Sequence, residues 1–177
     1  MGAGILPFCF RNNKLYFLFG KERDIDENPG WSDFGGGSDK DESYIKTATR
    51  ECSEEISGFL GSEQDLLKHL KTHGYLNIYL ENPKNKNKGY MVFLTPIEYD
   101  PELIKYFNRY QNFIQNKLDK ATLKKSKLFE KTEIKWFSFD DISKNKSKFR
   151  KFYQNIINVL LKNKLIITKD CQKLISK

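Results

Sequence analysis

The sequence lacks long hydrophobic runs and paired cysteines. No uninterrupted apolar stretch approaches the ~20 residues that a membrane-spanning helix needs, and the opening MGAGILPFCFRNN holds neither a basic leader nor an apolar segment long enough for a signal peptide. The three cysteines, Cys9, Cys52 and Cys171, form no CxxC pair. These absences argue against a membrane protein and a disulfide scaffold. We therefore expect a cytoplasmic protein with reduced thiols.

The chain also lacks internal repeats and a linker rich in Pro, Gly or Ser. Its 177 residues are enough for one domain with a hydrophobic core. We predict a single domain over residues 1–177, in which residues 142–177 form a C-terminal helical extension.

Hydrophobic periodicity predicts helices interleaved with short strands. The predicted strands, of which the first two form a hairpin, are 5–10, 15–20, 75–80, 90–97 and 134–139. The predicted helices are 42–57, 62–72, 101–120 and a final amphipathic helix over 148–166. Residues 21–34 are polar and interrupted by Pro-Gly, which predicts a loop, and Ser38, Asp39 and Asp41 are candidate caps for helix 42–57. The pattern indicates an α/β or α+β fold in which helices sandwich a mixed β-sheet.

Charge is distributed unevenly along the chain. The net charge is +8, yet residues 1–60 hold 7 Lys/Arg against 11 Asp/Glu. An acidic cluster inside a basic chain suggests a cation site that serves a polyanionic ligand. A coding bias towards Lys and Asn is an equally good explanation of the excess.

Helix 42–57 concentrates its carboxylates on one side. At about 100° per residue, Glu51, Glu54 and Glu55 share one arc, while the neighbouring arc is apolar and can face a core. Clustered carboxylate oxygens suit Mg²⁺ or Mn²⁺. Without a cation the helix would carry uncompensated repulsion, so the arrangement predicts a divalent-metal site.

The spacing of these residues is specific. Gly36, five residues, Glu42, seven residues and then Arg50-Glu51-Cys52-Ser53-Glu54-Glu55 closely resembles the Nudix box, GX5EX7REUXEEXGU. Ser57 stands where the box has its final glycine, and Gly58 follows, so the helix is expected to run one residue longer. LYFLFGKER, WSDFGGG and KTEIKWFSFDDI are similar to flanking segments of the family. The resemblance implies a Nudix fold with an additional C-terminal helix.

The family resemblance also implies roles for individual residues. Glu51, Glu54 and Glu55 would bind the metal together with the backbone carbonyl of Gly36, and they would be catalytic. Arg50 would pair with Glu42 and orient the ligand set. A further acidic residue near the late strand often joins the site, for which Glu130 is the first choice and Glu133 the second.

The implied activity is a Nudix hydrolase, a Mg²⁺- or Mn²⁺-dependent enzyme that cleaves a diphosphate linkage in a nucleoside diphosphate linked to a group X, or in a similar polyphosphate. One alternative is an mRNA decapping enzyme of the type found in large DNA viruses, which makes RNA a possible partner. Another is a Nudix-fold module that only binds RNA or nucleotide. The oligomeric state stays open.

Five residues are candidates for substrate contact. Trp31 and Phe34 flank the glycine run and could stack on a base, although packing beneath the loop is as good an explanation. Lys84, Lys86 and Lys88 could meet phosphates, whereas a solvated loop explains them at least as well.

Overall fold

The structure is a computed structural model that describes residues 1–24, 29–82, 89–125 and 129–176, with only the backbone at residues 124 and 125. Its described strands are β1 Gly2–Arg11, β2 Lys14–Glu22, β3 Trp31–Ser32, β4 Phe34–Gly37, β5 Leu76–Leu80, β6 Tyr90–Pro96 and β7 Lys131–Ser138. Its described helices are α1 Tyr44–Glu55, α2 Glu63–His73, α3 Pro101–Lys117, α4 Lys120–Lys125, α5 Phe139–Lys144, α6 Gln154–Lys162 and α7 Lys164–Ile175, with a 3₁₀ turn at Lys146–Lys148. No helix within these ranges is long and apolar enough to cross a membrane.

All seven strands belong to one mixed sheet. Five of them lie in the order β3-β2-β1-β6-β5, β4 pairs with β1, and β7 pairs with β2. β1 and β6 run parallel, whereas the other pairs are antiparallel. The predicted first hairpin is confirmed, and its turn has Asn12 and Asn13 at φ 48° and 60°, the left-handed conformation that a tight hairpin turn requires.

Helices cover both faces of the sheet because the side chains of a strand alternate between faces. In β1, Leu6 and Phe8 contribute to one core, in which Ile156 and Leu160 of α6 also lie. Ala3 and Ile5 contribute to the other core, with these residues of α1, α2 and α3: Ala48, Cys52, Leu66, Leu70 and Phe107. The predicted sheet sandwiched between helices is confirmed.

The C-terminal residues form one of the two covering layers. The segment predicted as one helix over 148–166 is instead two helices, α6 and α7, which meet at Asn163. Tyr153, Ile156, Ile157 and Leu160 are fully buried against the sheet. Within the described residues 142–176, the predicted extension therefore contributes to the core rather than lying beside it.

The loop predicted over 21–34 is partly β-structure. β2 continues to Glu22, and Trp31 and Ser32 pair with Lys21 and Gly20. The segment looked like a loop because its polar residues interrupt the apolar pattern. Two of them, Glu22 and Ser32, are buried by partners from distant parts of the chain.

Helix α1 is shorter than predicted at both ends. Ser43 is the N-cap and has an extended backbone (φ −75°, ψ 154°), so α1 starts at Tyr44, and none of the three predicted caps lies at the N-cap. The expected extra residue at the C-terminal end is also wrong, since α1 ends at Glu55. Ser57 and Gly58 both take the left-handed conformation, at φ 53° and 72°, and turn the chain away.

Asp33, between β3 and β4, is a fully buried acid. Its Oδ1 accepts a hydrogen bond from the Tyr90 hydroxyl at 3.0 Å, and its Oδ2 has no hydrogen-bond partner within the described ranges. A Cβ at Gly4 would lie 2.5 Å from that Oδ2, so glycine leaves room for the carboxyl group. Burial raises the pKa of Asp33 to about 7, against the opposing effect of Lys131.

We predict that Asp33→Asn removes part of the pH dependence of stability. Because the folded-state pKa of Asp33 is raised, its contribution to the free energy of unfolding is complete below pH ~4 and is lost as pH rises through about 7. In urea unfolding from pH 5 to pH 9, the free energy of unfolding of the wild type should fall by a few kcal/mol more than that of the variant. Asp24→Asn, at an exposed position, is the control, and parallel curves for wild type and Asp33→Asn would contradict the prediction.

Candidate active site

The glycine run is a strand that packs tightly against α1. A Cβ at Gly36 would lie 2.6 Å from the carboxylate of Glu51, so only glycine leaves space for that side chain. The backbone N–H of Gly35 donates to Glu55 Oε2 at 2.7 Å. β4 therefore holds two carboxylates of α1 against its backbone.

Arg50 organises the more exposed part of the cluster. Its Nε and Nη2 donate to the two carboxylate oxygens of Glu42 at 3.0 and 2.9 Å. Its Nη1 donates to Glu51 Oε1 at 2.8 Å and lies 3.5 Å from Glu54 Oε2, while Nη2 also donates to the Gly37 carbonyl at 3.1 Å. One guanidinium thus links the loop before α1, two carboxylates on α1 and the end of β4.

The environments of these carboxylates differ. The hydrogen bond from Arg50 lowers the pKa of Glu42 to about 2, with further help from the Asp39 N–H and the Thr47 hydroxyl. Burial raises the pKa of Glu51, although Arg50 opposes the shift. Glu42 is therefore a permanent anion that fixes Arg50.

A second charged cluster lies deeper, around Lys131 at the start of β7. The Lys131 ammonium is fully buried, and it donates to Glu22 Oε1 at 2.5 Å and to the Ser32 hydroxyl at 2.9 Å. It also lies 3.3 Å from Glu55 Oε1, while Arg150 Nη1 donates to Glu22 Oε1 at 2.6 Å. Two cations thus accompany two buried carboxylates.

The opposing charges keep Lys131 protonated. Burial acts to lower its pKa, but Glu55 and Glu22 outweigh that effect and raise it. Burial raises the pKa of Glu55 well above its usual range, against the attraction of Lys131. Glu55 therefore joins both clusters, because Gly35 holds one of its oxygens and Lys131 faces the other.

The two clusters open into one cavity of about 640 Å³. It is lined by Glu22, Gly35, Gly36, Gly37, Ser38, Asp39, Arg50, Glu51, Glu54, Glu55, Glu130 and Arg150. Six predicted residues, Gly36, Arg50, Glu51, Glu54, Glu55 and Glu130, are therefore brought together, and Glu42 lies behind them, paired with Arg50.

The carboxylates of this cavity fit a divalent cation. Glu22, Glu55 and Glu130 each offer a carboxylate oxygen within 4.8 Å of the other two. Hard oxygen donors of this kind suit Mg²⁺ or Mn²⁺. The predicted ligands Glu51 and Glu54 line the same cavity closer to its mouth, and the side chain of Glu54 is 44% exposed.

Several predicted residues lie elsewhere. Trp31 and Phe34 are buried in the two cores, and Trp31 packs edge-on against Phe137 at 5.0 Å. Both belong to strands, and their side chains point into the cores rather than along the cavity. Glu133 does not line the cavity, and on β7 it lies opposite Lys21. Lys84, Lys86 and Lys88 lie outside the described residues.

Sequence reasoning missed Glu22, Lys131 and Arg150. The β2–β7 pairing places Glu22 opposite Lys131 only after a register shift between Lys21 and Glu22, so a regular register extended from the two predicted strands would have placed Glu22 opposite Thr132 instead. Arg150 lies between the 3₁₀ turn and α6, and no local pattern distinguishes it from the other basic residues there.

Solved structures share this architecture. Ap4A hydrolase from C. elegans superposes with a TM-score of 0.54 at 16% identity, over 96% of this chain and 99% of that one. A bifunctional NMN adenylyltransferase/ADP-ribose pyrophosphatase from Francisella tularensis gives a TM-score of 0.56 at 18% identity, over 91% of this chain and 40% of that one. These proteins are Nudix hydrolases.

Similarity in sequence is more limited. An uncharacterized protein of Acanthamoeba polyphaga mimivirus, L534, is 45% identical over 58 residues. The match covers 31% of this chain and only 19% of the viral protein. No protein-family model matches the chain.

The structure is an α+β fold of the Nudix type. Within that fold, the box residues Gly36, Glu42, Arg50, Glu51 and Glu55 lie together where β4 meets α1. The resemblance stated from the sequence is thus confirmed at the level of the fold.

We predict that Glu42→Gln destabilises the protein by about 1–3 kcal/mol at pH 7, because Arg50 loses its charged bidentate partner. The folded-state pKa of Glu42 is lowered to about 2. Its contribution to the free energy of unfolding is therefore complete above pH ~4.5 and is lost as pH falls towards 2. Urea unfolding should show that the difference in the free energy of unfolding between wild type and variant narrows below pH ~4.5.

Glu102→Gln is the matched control for Glu42→Gln. Glu102 forms an exposed pair with Lys105, and such pairs contribute only about 0–1 kcal/mol. Equal effects of the two substitutions at pH 7 would show that the Glu42–Arg50 pair has no special structural role.

Proposed function

We propose that this protein is a divalent-metal-dependent hydrolase that cleaves a diphosphate linkage in a nucleoside diphosphate linked to a group X, or in a similar polyphosphate. The observation that carries the proposal is the single cavity in which Glu51, Glu54, Glu55 and Glu130 meet beside the backbone of β4. A cavity of about 640 Å³ is large enough for a small-molecule substrate. Its acidic wall suits a cation, and the cation suits an anionic substrate.

Glu51, Glu54, Glu55 and Glu130 would hold Mg²⁺ or Mn²⁺, with Glu22 as an additional oxygen donor. A metal bound there would polarise phosphate oxygens and lower the pKa of a bound water. The Gly36 carbonyl is a further proposed ligand, since that residue lies against Glu51.

The basic side chains at the cavity have different proposed roles. Arg50 orients Glu51 and Glu54 through contacts of 2.8 and 3.5 Å. Arg150 lines the cavity and its side chain is 21% exposed, so its guanidinium is available to phosphate oxygens at the cavity wall. Lys131 is fully buried and stabilises Glu22 and Glu55 from behind.

The similar structures support a nucleotide substrate. One is an Ap4A hydrolase, and another includes an ADP-ribose pyrophosphatase and was solved with AMP and a Mn ion. The box carboxylates Glu51, Glu54 and Glu55 are all present at the site together with Arg50. Their presence favours hydrolysis over the alternative of a module that only binds RNA or nucleotide. RNA decapping is a prediction from the sequence, and capped RNA belongs among the substrates to test.

We predict that Glu55→Gln strongly slows phosphoric anhydride hydrolysis. The panel holds NTPs, NDP-sugars, ADP-ribose, dinucleoside polyphosphates, diphosphoinositol phosphates and capped RNA, each with Mg²⁺ or Mn²⁺. Wild type should turn over one class, EDTA should stop the reaction, and Glu55→Gln should lower kcat by about 100-fold or more, because one carboxylate of the metal site is lost.

Glu63→Gln, at an exposed acidic position in the first turn of α2, is the matched control, and it should leave kcat unchanged. Melting temperatures of both variants separate lost chemistry from lost folding. Turnover that persists in EDTA, or a kcat that is unchanged in folded Glu55→Gln, would refute the proposed mechanism. Binding of a panel member without any turnover would favour a binding module.

A further inference from the structure

A second cavity, of about 550 Å³, adjoins the carboxylate cavity. The two share Gly35, Gly36, Gly37 and Arg150 as lining residues. The glycine strand is thus a common wall, and a Cβ at Gly37 would meet nothing within 4 Å. A ligand anchored among the carboxylates can extend past β4 into this second space without meeting a side chain there.

The second cavity differs in chemistry from the first. Its side-chain wall is formed largely by Met1, Leu80, Tyr90 and Phe152, together with the polar residues Glu81 and Asn82. Glu81 is exposed at the wall and would repel further phosphate groups. The cavity therefore suits an uncharged, flat group rather than a second anionic one.

Phe152 is positioned to contact such a group. It is 45% exposed, although its edges pack against Tyr90 at 5.7 Å and Tyr153 at 5.9 Å. These edge-to-face contacts orient the ring. An exposed aromatic ring that is held in place beside a cavity loses little conformational entropy on binding.

Arg150 joins the aromatic ring to the carboxylate cavity. Its guanidinium carbon lies 4.9 Å from the Phe152 ring centroid, while its Nη1 donates to Glu22. Its Nε is buried and has no hydrogen-bond partner among the residues that the structure describes. Guanidinium planes and aromatic rings both stack on nucleobases, and the same guanidinium can face phosphate in the first cavity.

We propose that the second cavity binds the nucleobase of the substrate, with Phe152 and Arg150 as its stacking surface, while the diphosphate lies in the carboxylate cavity. The proposal rests on the proposed function for the position of the diphosphate. A base-binding cavity of this kind would favour nucleoside diphosphate derivatives over diphosphoinositol phosphates, because the latter have no uncharged aromatic group to stack on Phe152 and Arg150.

The experiment measures binding rather than turnover. AMP and ribose 5-phosphate carry the same phosphate and sugar, but only AMP has a base. Calorimetric titrations with Mg²⁺ present should show that wild type binds AMP more tightly than ribose 5-phosphate. Phe152→Ala should weaken AMP binding by roughly five- to hundredfold and leave ribose 5-phosphate binding unchanged.

Two further variants control the test. Phe152→Tyr keeps the ring and should restore the preference for AMP. Phe113→Ala removes an aromatic ring of 58% exposure from α3 and should change neither ligand's affinity. Melting temperatures of all variants identify any that fail to fold, in which case Phe152→Leu, which keeps apolar bulk without the ring, replaces Phe152→Ala.

The outcomes separate this proposal from the proposed function. Equal affinity of wild type for AMP and ribose 5-phosphate, no AMP binding up to millimolar concentration, or an equal loss of both ligands in Phe152→Ala would overturn the nucleobase site. None of these results concerns hydrolysis. Conversely, a base preference that depends on Phe152 would support the site even if the substrate panel showed no turnover.

Discussion

A buried ammonium group holds together the side of the fold that carries the carboxylate cavity. Lys131 on β7 contacts Glu22 on β2 and Glu55 on α1, so it connects two neighbouring strands with the helix that crosses them. Taking charges out of water is costly, and removal of one member of such a cluster typically costs about 3–5 kcal/mol. The position of Glu55 therefore depends on β2, β7 and α1 all being in place.

The charged residues form two layers with different physical roles. In the deeper layer, Lys131 and Arg150 balance Glu22 and Glu55, which limits the repulsion between buried carboxylates. In the outer layer, Arg50 is fixed by Glu42 and in turn orients Glu51 and Glu54. This division leaves the carboxylates that face the cavity close together in a protein that is already folded, which is the condition for binding a cation without large rearrangement.

The sequence allows part of this arrangement to be predicted, and physical reasons explain the rest. Carboxylates of α1 are separated by helical spacing, so their common face follows from local geometry alone. The hairpin, α2 and the mixed sheet are likewise predictable from periodicity and turn residues. In contrast, Glu22, Lys131 and Arg150 meet only through the β2–β7 register and the C-terminal layer, and nothing local to any of them indicates a partner.

Tertiary packing decides between interpretations that the sequence leaves open. Trp31 and Phe34 flank the glycine run, so stacking on a base and packing in a core explain them equally well, and strand alternation turns both side chains into the cores. Helix α3, which follows β6, packs on the sheet, and its Phe107 is fully buried. The side-chain amide of the neighbouring Asn108 exchanges two hydrogen bonds with the backbone of Ile134, so α3 satisfies the backbone of β7 as another strand would.

The parallel pairing of β1 with β6 has a practical consequence for handling the protein. It brings Met1 to the wall of the second cavity, where its carbonyl accepts a hydrogen bond from the Ser38 N–H at 2.9 Å. A purification tag fused ahead of Met1 would therefore emerge beside the two cavities and could enter them. A tag placed after α7, whose last turn lines a different cavity with His69 and His73, leaves the carboxylate cavity and the second cavity clear.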